Sequence, residues 1–185
     1  MSTSMTPIRD ICTTEHTLEV IAKITRKWYS TNLKTDALIS MDIILLDEHD
    51  DHIHATIPIY LTSDFEYLTE GKVYNISNFK VERKKLHKVV SHDYMIHLTG
   101  DTSIQENMSS VQIRNHKFEI VQFEEMTKRQ DKFIQSSDVL GRLVRIGELV
   151  DQEVKGKQKT VKKLVLRIQM NRYIYFLVEV NFYKK

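Results

Sequence analysis

The chain has 185 residues, of which 41% are hydrophobic and 28% charged, which suits one large domain or two small ones with a packed core. Its formal net charge is only +2, it has a single cysteine, and no run approaches the roughly eighteen apolar residues of a membrane span. These features exclude a polycation, an intramolecular disulfide framework, a cysteine-based zinc cluster and a membrane-spanning helix.

The charge is unevenly spread: residues 1–100 sum to −3 and the remainder to +5, with seven of the eight histidines in the first hundred. A nucleic-acid site is therefore expected as a local patch, not as a bulk effect. The N-terminus, MSTSMTPIRD, lacks the apolar centre of a secretory signal, and the lone Cys12 fits a reducing compartment, cytosol or nucleus.

In chain order, Thr6 followed by Pro7 predicts a helical turn, with Thr6 as cap, Pro7 at the first position and Ile8 and Ile11 pointing one way. LEVIAKITRKWYS predicts a β-branched strand. Alternation puts Lys23 and Lys27 on its open face, with Arg26 beside them at the strand's end. Met41, Ile43 and Leu45, then Ile53, Ala55 and Ile57, alternate with polar residues around the acidic turn Asp47–Asp51 and predict a hairpin. Apolar Leu61, Phe65 and Leu68 then predict a short helix ending at Gly71. A strand through Val81 follows, where Val73, Asn75, Ser77, Phe79 and Val81 share the inner side and Tyr74, Ile76, Asn78 and Lys80 the outer. After the charge run VERKKLHK, SHDYMIHLTG offers a fifth strand.

Five strands with a helix between the third and fourth is the order of the OB-fold, a Greek-key barrel whose helix plugs one open end. Phe65 and Leu68 are the candidate plug. The fold is therefore read as all-β, with a first barrel over residues 1–102, a polar linker over 103–116 and a partial second barrel over 117–185. In that second part, KFEIVQFEEM reads as a strand running into a helical turn, SSDVLGRLVRIGELV as a strand bent at Gly141, and LVLRIQ and RYIYFLVEV as two further strands.

Several stretches resemble the large, DNA-binding subunit of replication protein A, most of all its plant-type and helitron-encoded members. They are VIAKIT, LLDEHDDHIHATI, EGKVYNISNFKV, YMIHLTGDTSI and DVLGRLVRIGELV, which occur in order and at matching intervals. The resemblance implies tandem DNA-binding OB-folds, single-stranded DNA as ligand, replication, repair or recombination as context, and the nucleus as compartment. It also allows other subunits of that complex, or repair proteins, as partners. At the two positions where the family stacks bases on aromatics, this chain has Met41 and Ile76. The chain stops before the helix and last two strands of the family's second barrel, so a truncated second domain is expected.

Binding a single strand takes cations for phosphates and flat side chains for bases. Lys23, Arg26 and Lys27 form the first candidate group, and Lys23 falls where the family places a basic residue against DNA. The second group is Lys80, Arg83, Lys84, Lys85, His87 and Lys88, in the loop that flanks an OB groove. Lys34 is a similar case after the first strand. Trp28 is a candidate stacking platform or a core-edge residue, and His54, Asn78, Met41 and Ile76 are placed near the groove. The bland reading of each basic group is a solvated strand face or loop.

His49, Asp50, Asp51, His52 and His54 could supply metal ligands, but they read more simply as an acidic turn with surface histidines. No nucleophile elbow, P-loop or zinc-protease motif occurs, so neither catalysis nor a cofactor is expected. The rival readings are a protein-interaction OB module with little DNA affinity and a fragment of a helitron-type transposon replication protein. A metal-dependent hydrolase is a distant third.

Overall fold

The computed structural model describes residues 5–13, 18–32, 35–84, 88–121, 125, 136, 138, 140, 142–146, 150–153, 160–170 and 173–182. The chain forms two compact units, Met1–Glu119 with Gln130–Ser137, and Ile120–Arg129 with Asp138–Lys185.

The first unit holds seven strands: β1 (Glu19–Thr31), β2 (Leu38–Leu46), β3 (His52–Pro58), β4 (Val73–Ser77), β5 (Lys80–Arg83), β6 (Tyr94–His97) and β7 (Ser103–Glu106). They hydrogen-bond in the order β5-β6-β3-β2-β1-β4-β7, all antiparallel except β3 and β6. The expected fourth strand is split into β4 and β5 by Asn78, which has a left-handed φ of 58°. Its first half pairs with β1 and its second with β6, so the sheet curls round into the OB-fold Greek-key barrel. The fifth strand is split likewise, and its second half, β7, comes from the stretch read as linker. Residues 103–116 thus begin with a strand paired to β4.

The core forms as the alternation requires. Ile43, Leu45, Ile53, Ala55 and Ile57 are fully buried, joined by Val20, Ala22 and Ile24 of β1. Asp47 organises the acidic turn: its Oδ1 accepts from the backbone N–H groups of His49 (3.0 Å) and Asp51 (2.8 Å), and its Oδ2 from that of Ile8 (2.8 Å). The plug is a 3₁₀ helix, Ile59–Phe65, not an α-helix, and Phe65 and Leu68 are buried under it. Gly71 follows with a φ of 85°, a conformation that favours glycine.

At the N-terminus a 3₁₀ turn spans Ile8–Asp10, with Pro7 one place earlier than expected, at the cap and extended. Thr6 caps nothing; its N–H donates to the Glu19 carbonyl at 2.8 Å.

The second unit is a four-stranded antiparallel sheet of β8 (Arg142–Ile146), β9 (Val150–Glu153), β10 (Thr160–Met170) and β11 (Tyr173–Phe182). Both β8 and β9 pair with β10, which pairs with β11. The single strand expected over 136–150 is thus two. Gly141, and the helical turn expected after Ile120 apart from Glu125, lie outside the described residues. Among those described, no helix is long and apolar enough to cross a membrane.

Candidate nucleic-acid interface

Strand register brings the outward side chains of the first unit into rows. One row runs Trp28 (β1), Asp42 (β2), Thr56 (β3), His97 (β6) and Lys80 (β5). The next runs Arg26, Ile44, His54, Met95 and Glu82. At about 4.8 Å between neighbouring strands, each row spans roughly 19 Å. Arg26 and Lys80 are exposed at opposite flanks, with polar groups between them.

The centre of this face is a connected stack. The Trp28 indole lies nearly flat on the His54 imidazole, with centroids 5.5 Å apart and planes 19° apart. His54 Nε2 sits 2.9 Å from Asp42 Oδ1, and Asp42 Oδ2 accepts from Ser30 (2.6 Å) and Ser40 (2.7 Å). Burial alone raises the Asp42 pKa, but hydrogen bonds from His54, Ser30, Ser40 and Thr56 outweigh it and hold the carboxyl well below its usual range. Asp42 therefore stays ionised, and its network fixes the ring on which Trp28 rests. On the neighbouring strands, His97 Nε2 lies 3.0 Å from Glu82 Oε2 but lacks hydrogen-bond geometry. Burial lowers the His97 pKa, and Glu82 offsets part of that.

The row beyond, Lys23, Leu46 and His52, is covered. The Lys23 ammonium donates to the Ile113 carbonyl and to Asn115 Oδ1, the latter at 3.1 Å. His52 Nε2 is 2.8 Å from Glu119 Oε1, and the Ser91 N–H and hydroxyl also donate to Glu119. Lys117 donates to the Asp50 carbonyl, and Arg114 Nη1 lies 3.2 Å from Asp50 Oδ2. Residues 113–119 are thus strapped over this end. A cleft of about 380 Å³ remains there, where Arg9, His52, His92 and Lys117 face Asp51 and Asp93.

The expected site residues therefore divide. Arg26, Trp28, Lys80 and His54 share the outer face, with His54 buried beneath the indole. Lys23 is on that face but is used internally. Lys27 is on the other side, because a bulge between Ile24 and Arg26 reverses the alternation. Its ammonium donates to the carbonyls of Glu66 (2.9 Å) and Leu68 (3.0 Å), at the end of the plug.

Met41 and Ile76 are core residues, fully buried. Met41 pairs with Tyr29 and Ile57, and Ile76 with Val20 and Ile104, so each faces inward. Tyr74, also expected outside, is buried, and its hydroxyl accepts from the Thr69 N–H at 3.0 Å. Left-handed Asn78 is exposed and resets the parity, so that Phe79 and Val81 pack on the core as expected. Lys84 approaches Met95 Sδ at 3.4 Å, and Lys88 pairs with Asp93. Arg83 is exposed beside Val81. Lys34, Lys85 and His87 lie outside the described residues. Among those described, no three His, Cys, Asp or Glu side chains form a group that could hold a metal ion.

Residues 9–129 match the family described as domain of unknown function DUF223. The chain belongs to this family. Its fold has a counterpart in a replication protein A heterotrimer solved bound to single-stranded DNA, at 24% identity and a TM-score of 0.57. That match covers 98% of this DUF223 chain and 42% of the other, so the chain spans less than half of that protein's length. An OB domain from Methanosarcina mazei matches at 21% identity, a TM-score of 0.44 and coverage of 59% and 88%. One from Thermoplasma acidophilum matches at 15%, 0.40, and 59% and 92%. No curated protein matches the chain in sequence.

The groups that sequence reasoning passed over are Asp42, Ser30, Ser40, Thr56, Glu82 and His97. Their signal was present: the alternation that turns Ile43 and Leu45 inward leaves Ser40 and Asp42 outward.

Proposed function

We propose that this protein binds single-stranded nucleic acid, DNA foremost, along the free rows of the first unit. The observation that carries the reading is the Trp28 indole laid flat on an Asp42-anchored His54, between exposed Arg26 and Lys80 on one barrel face. A base stacking on Trp28 gains about 1–3 kcal/mol whatever its identity. The two flanking cations contact phosphates and make binding salt-dependent through counterion release.

The replication protein A structure that shares the fold was solved with single-stranded DNA, which supports this ligand class. The sequence resemblance to that protein's large subunit, plant-type members included, supports a nuclear role in replication, repair or recombination. Other subunits or repair proteins are then its partners. A second reading, a protein-interaction module, is favoured by Leu38, Ile39, Ile59 and Tyr60, which are apolar and exposed where β2 begins and the plug follows β3.

Fluorescence anisotropy with a labelled mixed-sequence single strand, at low and high salt, tests the proposal. Micromolar or tighter binding that weakens with salt supports it. No binding in low salt removes it and promotes the interaction module.

A further inference from the structure

The free rows also hold groups able to choose among bases, an inference that rests on the binding reading above. Donors and acceptors at the centre of the face are out of balance. Asp42 is acceptor-only, and the Ser30 and Ser40 hydroxyls spend their protons on it. One row across, the Glu82 carboxylate is 71% exposed and meets only His97 among the described residues. A strand whose phosphates follow Arg26 and Lys80 at the flanks lays its bases over this acceptor-rich centre.

Cytosine, adenine and guanine bring amino groups to such a surface, whereas thymine and uracil bring two carbonyl oxygens and one N–H. A carboxylate accepting from cytosine N4 is an established pairing in base recognition. We propose that this face favours amino-bearing bases over thymine and uracil, with Glu82 as the specificity-determining residue.

Cytosine against thymine is the cleanest comparison, since both are pyrimidines and stack over similar areas. The test uses the full chain and a labelled mixed-sequence strand, displaced by oligo-dC or oligo-dT of equal length near neutral pH. Oligo-dC is expected to compete about fivefold or more better than oligo-dT. Glu82→Gln, at an exposed position that leaves the fold intact, is expected to narrow that ratio, since an amide donates as well as accepts. Equal competition, or a preference for oligo-dT, overturns the inference while leaving strand binding in place. A ratio unchanged by Glu82→Gln overturns the assignment to Glu82. Failure of the labelled strand itself to bind overturns the binding reading, and this inference with it.

Discussion

The outer face of the first barrel offers two ends built by the same alternation and put to opposite uses. At one end Lys23 and His52, the residue types of a nucleic-acid groove, are consumed by Ile113, Asn115 and Glu119. One and two rows away, Arg26 and Lys80 are exposed around an indole platform. A basic residue on an open strand face is thus free to meet a ligand only where the chain does not fold back over it. The strap decides which, and the strap is a tertiary feature.

The largest effect is expected at the anchor of the open end. Asp42→Ala leaves a buried His54 and two hydroxyls without their acceptor and is expected to cost about 3–5 kcal/mol in urea denaturation. Trp28→Ala and Lys23→Ala then separate the two ends. Losing the indole is expected to weaken single-strand binding by roughly 5- to 150-fold, the equivalent of about 1–3 kcal/mol, with little change in melting temperature. Losing Lys23 is expected to do the reverse, costing about 1–3 kcal/mol of stability as the buried Ile113 carbonyl loses its donor, while binding is largely kept. If Lys23→Ala impairs binding more than Trp28→Ala does, the division between the ends is wrong.

The first barrel was largely legible because its hairpin obeys period two: Met41, Ile43 and Leu45 face Ile53, Ala55 and Ile57 with no irregularity. The site was legible only in pieces, for three local reasons. The bulge beside Thr25 moved Lys27 from the open face to the plug. The left-handed turn at Asn78 placed Tyr74 and Ile76 inside although Phe79 and Val81 are inside too. Residues 103–116 look polar and loop-like, but β7 is paired with β4, and Ile113 is buried where the chain returns over Lys23. Hydrophobic periodicity carries none of these. The first two need backbone dihedrals and the third a contact across 90 residues.

Smaller effects are expected at single charged side chains. Arg26→Ala and Lys80→Ala should each reduce the steepness of log affinity against log salt by about 0.7, while Lys27→Ala leaves it unchanged. The pH response follows from two depressed pKa values. His97 is lowered by burial, so the stability of its neutral form is complete above the ordinary histidine value of about 6.5 and lost as pH falls through its lowered value. Asp42 adds a second loss as pH falls below the ordinary aspartate value of about 3.9 towards its own depressed one. Urea midpoints across that range are expected to fall in both windows, and His97→Gln should flatten the upper one. At the strapped end, the exposed Arg114–Asp50 pair is worth the least, and Arg114→Ala is expected to change stability by no more than about 0.5 kcal/mol.

Whether the open end receives a single strand on its indole is read by Trp28 fluorescence, since this is the only tryptophan in the chain. Titration with a single-stranded oligonucleotide in low salt is expected to quench the emission saturably, and added salt to reverse the quenching. Binding that leaves Trp28 emission unchanged would rule out the indole as the platform.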